Sequence, residues 1–185
     1  AALRIVLDFS EPAAAVIKHT NPCGVATGAG IADAYVRARD ADALAAFGGI
    51  VGLNRPVDVA AARALVSTFI EAVIAPGADE EARAVLAAKP NMRVVTMDFS
   101  RIPAADRDIR SLVGALVEQS RDRVIEAAEQ WPDTQMKVVT KRQPSADEWQ
   151  ALRFAWRICA HVKSNAVIFT AGDRTILVGR FVEEK

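Results

Sequence analysis

Six short runs rich in valine, isoleucine and alanine recur along the chain: AAAVI (13–17), GGIVGL (48–53), AVIAP (72–76), RVVTM (93–97), KVVT (137–140) and AVIFTAG (166–172). Each is four to seven residues long, and most lie beside or close to a Gly, Pro or Asn, the pattern of a buried strand. Between them lie alanine-rich stretches of helical period: Ala1–Leu7, Ile31–Ala41, Val57–Phe69, Asp79–Ala88 and Ala146–His161. A strand that is apolar on both sides needs cover on both sides. The alternation therefore predicts an α/β fold, a sheet with helices on both faces. Asp79, Glu80 and Glu81 place acid in a first helical turn, where it complements the dipole. Ser145 with Glu148 forms a capping box ahead of the last helix. Asp98 to Gln135 is less regular, and SLVGALVEQ within it reads as a strand or an ordered loop. Trp131–Asp133 is the candidate joint between two halves of the fold.

Composition narrows the class without touching chemistry. At 185 residues the chain is near the size of one domain and long enough to bury a core. Its 23 basic and 23 acidic residues cancel, so no long-range field draws it to nucleic acid or acidic lipid. No apolar run approaches the roughly 20 residues that span a bilayer. The start lacks the features of a secretory signal. It also lacks an initiator methionine, so the chain is expected to begin inside a longer protein. Cys23 and Cys159 are too few for a disulfide framework, which fits a reducing cytoplasm. The expectation is a cytoplasmic protein with no nucleic-acid or membrane partner.

The first apolar run ends in VIKHTNPCGVA, where Lys18 and His19 stand side by side. In α/β sheets, ligands gather beyond the carboxyl ends of strands. Strand neighbours point to opposite faces, so the two groups share a site only if the strand ends there. Asn21-Pro22 suggests that it does, and Gly24 is expected to permit a following turn. An imidazole can accept or donate a proton near neutral pH, and a neighbouring ammonium disfavours its charged form. The ammonium can steady negative charge on a carbonyl oxygen. The plainer alternative is a solvated lysine and a histidine satisfied by a backbone carbonyl.

Three other places carry weaker signals. Gly48, Gly49 and Gly52 lack the G-x-G-x-x-G spacing of a dinucleotide-binding turn and fit a tight helix-to-strand join. Glu71 is either a solvated helix-end acid or a ligand-binding carboxylate. Lys163, Ser164 and Asn165 precede a strand, where an amide side chain can bind a small polar ligand. A zinc site of the deaminase type requires H-x-E and P-C-x-x-C. Here the residue three after Cys23 is Ala26, and no Glu follows His19 at that spacing. Cys159 and His161 lie two apart on an expected helix and diverge by about 200°. No metal site is expected.

Taken together, VIKHTNPCGVATG, DALAAFGGIVGLNRPVD, FIEAVIAPGADEEA and LRFAWRICAHVKSNAVIF resemble the AICAR transformylase part of the bacterial bifunctional purine biosynthesis protein, which also carries an IMP cyclohydrolase domain. The resemblance runs from Ala1 to about Thr175. It implies a cytidine-deaminase-like three-layer sandwich, with a central mixed sheet and helices on both faces. It implies transfer of a formyl group from 10-formyltetrahydrofolate, as co-substrate, to the 5-amino group of AICAR, the penultimate step to IMP. By the same resemblance Lys18 and His19 are catalytic, His19 taking the amine's proton and Lys18 steadying the tetrahedral oxygen. Asn165, Gly48 and Glu71 match AICAR-binding positions, Glu71 standing where some members carry Asp.

The resemblance also implies departures. Residues 1–175 correspond to the first part of the transformylase domain, and 176–185 to an atypical, truncated tail. The family continues after TAGDRTI into a glycine-rich GIGAGQ and an AICAR-binding arginine, where this chain has LVGRFVEEK. The cyclohydrolase domain and the second transformylase lobe, source of much of the folate site, are expected to be absent. Family enzymes are homodimers with sites across the interface, so an inactive fragment is expected. The alternatives are a deaminase-like hydrolase, opposed by the missing ligand set, and a non-catalytic nucleotide-binding or oligomerisation module.

Overall fold

The strand AAAVI lies at the middle of a seven-stranded sheet, with both of its faces dry. The computed structural model describes residues 1–102, 107–122, 124, 127, 130–132 and 136–180. In chain order the elements are α1 (Ala2–Val6), β1 (Ala13–Lys18), β2 (Asn21–Thr27), α2 (Ile31–Asp40), α3 (Ala43–Ala46), β3 (Gly49–Leu53), α4 (Val59–Val66) and β4 (Ile70–Ala75). They continue as α5 (Glu80–Leu86), β5 (Arg93–Thr96), β6 (Arg107–Leu112), β7 (Ala115–Ser120), α6 (Ala146–Cys159), β8 (Ala166–Ala171) and β9 (Arg174–Arg180).

The large sheet has the order β5-β4-β3-β1-β2-β9-β8. β3, β4 and β5 are parallel, and the other pairings are antiparallel. Period-two alternation divides β1 between two cores. Ala14 and Val16 pack with Tyr35 and Ala38 of α2 and Leu65 of α4. Ala13, Ala15 and Ile17 pack with Ile5 and Val6 of α1 and Phe154 and Ile158 of α6. The sheet is therefore mixed, with a helical layer on each face, a three-layer α/β sandwich as the alternation predicts.

The largest departure from the sequence expectation follows His19. Asn21-Pro22-Cys23-Gly24 does not lead away as a turn but opens β2, which returns antiparallel beside β1. Pro22 lacks an N–H for a ladder. It is accommodated where the β1–β2 register shifts, after Val16. β2 meets β9 only further on, at Ala26 and Arg174. Gly24 serves close approach instead of a turn: a Cβ there would lie 1.8 Å from the Ala38 carbonyl oxygen on α2. The absent side chain lets the helix backbone rest on the strand.

Elsewhere the differences are local. KVVT (137–140) is not a strand; Val139 is exposed and no ladder partner meets this segment. A β-branched run has strand character only where a sheet edge receives it. SLVGALVEQ proves to be most of the β6–β7 hairpin, turning at Val113-Gly114 with Gly114 at φ 73°. This hairpin is held to α1 by the Arg4–Asp108 ion pair. The expected helices are present but shorter at their ends. The capping box forms: Glu148 N–H donates to Ser145 Oγ at 3.3 Å, and Ser145 N–H to Glu148 Oε2 at 2.8 Å. At the candidate joint, the Trp131 ring packs near Trp149 and Trp156 of α6. Asp133 lies outside the described residues. Both cysteines are free thiols, and no described helix is long and apolar enough to cross a membrane.

Residues 174–180 form β9, which closes the sheet against β2 and β8. Its turn with β8 is anchored by Asp173, which accepts from Arg37 of α2 and from Thr27 Oγ1 at 2.7 Å. The Arg37 guanidinium holds the Asp173 carboxyl below its ordinary value of 3.8, with the Thr27 hydroxyl helping. Beside it Thr175 Oγ1 is buried, accepting the Val25 N–H at 3.0 Å.

Two outcomes test this architecture. Gly24→Ala must push α2 off β2, and overpacking of this kind costs at least about 1–3 kcal/mol; urea denaturation of wild type and variant measures it. Unchanged stability would contradict the close approach of α2. The lowered Asp173 value means that the unfolded chain binds its proton first as pH falls. The pair's stabilisation is full above the ordinary carboxylate range and is lost as pH drops through the lowered value. With half of the Asp173 side chain exposed, the effect is no more than about 1 kcal/mol. Asp173→Asn should flatten that portion of the stability–pH curve.

Candidate active site

Only His19 and Thr20 separate β1 from β2, with Lys18 paired to Asn21 across the hairpin end. Both turn residues are left-handed, at φ 49° and 68°. That geometry matches the right-handed twist of a two-residue hairpin, although side chains other than Gly, Asn and Asp resist it. The buried run thus stops at the sheet rim, and the chain reverses where Lys18 and His19 emerge. The two residues line one cleft because the strand ends there.

Lys18 is half-buried and held by the protein. Its ammonium donates to the carbonyl oxygens of Phe47, at 2.7 Å, and Gly48, at 3.2 Å. The seat is shaped by Gly48, whose φ of 66° is left-handed and whose N–H donates to the Phe69 carbonyl at 2.8 Å. A Cβ at Gly48 would lie 3.1 Å from Lys18 Nζ and 3.3 Å from the Phe69 ring. The Phe47 and Phe69 rings flank this join, with centroids 5.2 Å apart. FGG therefore makes a tight helix-to-strand connection and also fixes the lysine. An ammonium has three donors; two are used here, and the third has no partner among the described residues.

Lys18, His19, Thr20, Gly48 and Glu71 line one cleft of about 500 Å³, floored by apolar side chains including Ile17 and Val73. Glu71 lies within β4, not at a helix end, and meets Arg93 Nη1 at 3.1 Å. The site sits at the carboxyl end of β1 but at the amino ends of β3 and β4, because β1 runs against both. A rule framed for parallel sheets thus locates Lys18 and His19 while missing why Gly48 and Glu71 join them.

Asn165 is not among the residues lining this cleft. It precedes β8, exposed, with its Oδ1 accepting from Ser164 Oγ at 2.8 Å. Its loop nevertheless reaches the hairpin turn. Lys163 Nζ donates to Thr20 Oγ1 at 2.6 Å, and Lys163 N–H to Asn21 Oδ1 at 3.3 Å. Thr20 and the Phe47–Phe69 pair are site features that the sequence did not single out; FGG was their only local sign. His161 lies apart, with Nε2 2.6 Å from Asp8 Oδ2. Burial pushes the Cys23 thiol up to about 11, with Asp42 adding to the effect, so it is a poor nucleophile near neutral pH. A larger cleft of about 880 Å³ beside Trp131, Trp149 and Arg157 is lined by none of Lys18, His19, Gly48, Glu71 and Asn165.

An ammonium seated by two carbonyls, beside an imidazole over an apolar-floored cleft, can bind a developing oxyanion and move a proton. Residues 1–180 match the family described as AICARFT/IMPCHase bienzyme. The chain is 46% identical to the bifunctional purine biosynthesis protein PurH of Anaeromyxobacter dehalogenans, over 97% of this chain and 35% of that protein. It is 48% identical to PurH of Trichormus variabilis and 47% identical to PurH of Myxococcus xanthus, over 97% of this chain in each case and 34% and 35% of those proteins. The chain thus spans about a third of the length of these curated relatives. With the match running from the first residue through β9, the chain belongs to the AICARFT/IMPCHase bienzyme family.

Proposed function

We propose that the cleft is part of a formyl-transfer site of purine biosynthesis, in which a formyl group passes from 10-formyltetrahydrofolate to the 5-amino group of AICAR. The observation that carries this reading is the hairpin turn that delivers Lys18 and His19 together to a cleft shared with Gly48 and Glu71.

The amine conjugated to the imidazole ring of AICAR is a weak nucleophile, so attack on the formyl carbon needs its proton removed. His19 accepts that proton as the new C–N bond forms, and the carbonyl pair moves onto oxygen. Lys18 presents its remaining N–H to that oxygen while Phe47 and Gly48 hold the ammonium in place. Collapse restores the carbonyl, breaks the bond to N10 of the folate and delivers the proton to that nitrogen. The products are the formamido compound and tetrahydrofolate. Gly48 and Glu71 border the AICAR position, and Asn165, on the loop before β8, is a further AICAR-binding residue on this reading. On this reading residues 1–175 are the first part of a cytidine-deaminase-like transformylase domain of a cytoplasmic enzyme. The second lobe and a homodimer partner complete the folate site.

In a polypeptide of the relatives' full length, His19→Ala is expected to lower kcat by about 10²–10⁴. Lys18→Met should remove about 2.7–4 kcal/mol of transition-state stabilisation. Steady-state formyl-transfer assays measure both, and an undiminished kcat in His19→Ala sinks the assignment. For the 185-residue chain alone, calorimetry should show AICAR binding with formyl transfer near background. Absence of AICAR binding would favour the structural-module alternative, and robust turnover would remove the need for a second lobe.

A further inference from the structure

The loop between α6 and β8 reaches the β1–β2 hairpin through Lys163. Lys163 meets the two residues that immediately follow His19: its ammonium binds the Thr20 hydroxyl, and its N–H binds the Asn21 side chain. The loop itself is firmly seated. Val162 is buried in the same core as Ile17 and Val25, the strand residues beneath the hairpin end. His161 N–H and Val162 N–H return to Ile158 and Cys159 carbonyls, and the His161 ring pairs with Asp8. A fixed platform therefore holds a turn whose two residues both occupy left-handed backbone. Such a turn persists in side-chain-bearing residues only where surrounding contacts over-determine it.

We infer that Lys163 is a positioning residue: by gripping Thr20 and Asn21 it holds the His19–Thr20 turn in its left-handed form and sets the spacing between His19 and the Asn165 segment. The role rests on the formyl-transfer reading for its catalytic meaning, but the grip itself does not. Lys163 is exposed and lies outside the residues lining the cleft, so it acts through its neighbours and not on the substrate. The chemistry needs it because small displacements of a proton acceptor are costly: a misplacement of about 1 Å can cost 10²-fold in rate. The ammonium is the part that matters for Thr20, and an aliphatic side chain of similar length cannot replace its hydrogen bond.

Two measurements separate this role from general stabilisation and from failure of the functional reading. First, in the 185-residue chain, nuclear magnetic resonance of Lys163→Met should show the His19 backbone and imidazole signals shifted and broadened, with core signals such as those of Tyr35 and Leu53 unmoved. Second, in a polypeptide of the relatives' full length, Lys163→Met and Thr20→Val should each lower kcat about tenfold, less than a full 1 Å misplacement would. The AICAR KM should stay within about twofold, and the double variant should be no worse than either single one, as for two ends of one contact. Thr20→Ser, which keeps the hydroxyl, should restore the rate. Unmoved His19 signals, or additive losses in the double variant, overturn the proposal. Shifted His19 signals together with a fully active His19→Ala enzyme uphold the grip and discard the formyl-transfer reading instead.

Discussion

The rest of the structure depends on a strand that is dry on both sides and must therefore surface abruptly. β1 offers Ala14 and Val16 to one helical layer and Ala13, Ala15 and Ile17 to the other. Small side chains let α1 and α2 come close, and no polar group can be carried through such a layer without a partner. Lys18 is the first residue at which the chain reaches the rim. A reversal in two residues is then the shortest way to keep a neighbouring strand on the sheet. The site is the polar end of a hydrophobic element.

The mixed sheet turns that one exit into a cleft. Because β3 and β4 run against β1, the residues entering them arrive at the same edge that β1 leaves. Gly48 gives the lysine its seat, and Glu71 borders the cleft from the next strand. Carbonyl oxygens satisfy part of the ammonium's demand for solvent and hold it in one place, which on the formyl-transfer reading is preorganisation. A free surface lysine has to lose rotamer entropy to do the same. The α6–β8 loop, anchored by Val162, closes the arrangement from the other side through Lys163.

Much of this was legible along the chain. The runs at 13–17, 48–53, 72–76, 93–97 and 166–172 are strands because their residues suit a covered sheet, and the helices between them follow the apolar period. Lys18 and His19 could be grouped because adjacency at a strand end is local information. KVVT carried the same local signature and yet has no strand, since no edge receives it. β2 was hidden by Pro22 and Gly24, residues that ordinarily mark a turn. Pro22 is tolerated by a register shift, and Gly24 by the demand of a helix backbone, neither of which leaves a trace in the neighbouring letters.

By itself the sequence determined the alternation, the two-sided burial, the cap at Ser145 and the pairing of an ammonium with an imidazole at one strand's end. These follow from periodicity and nearest neighbours, whose physics extends over a few residues. Only the tertiary structure decided that the chain reverses at His19, that Gly48 and Glu71 share a cleft with it, and that Lys163, 143 residues beyond Thr20, reaches the turn. Such placements depend on strand direction and on which surfaces are left to pack. Those are properties of the whole folded chain, settled by the total burial it can achieve.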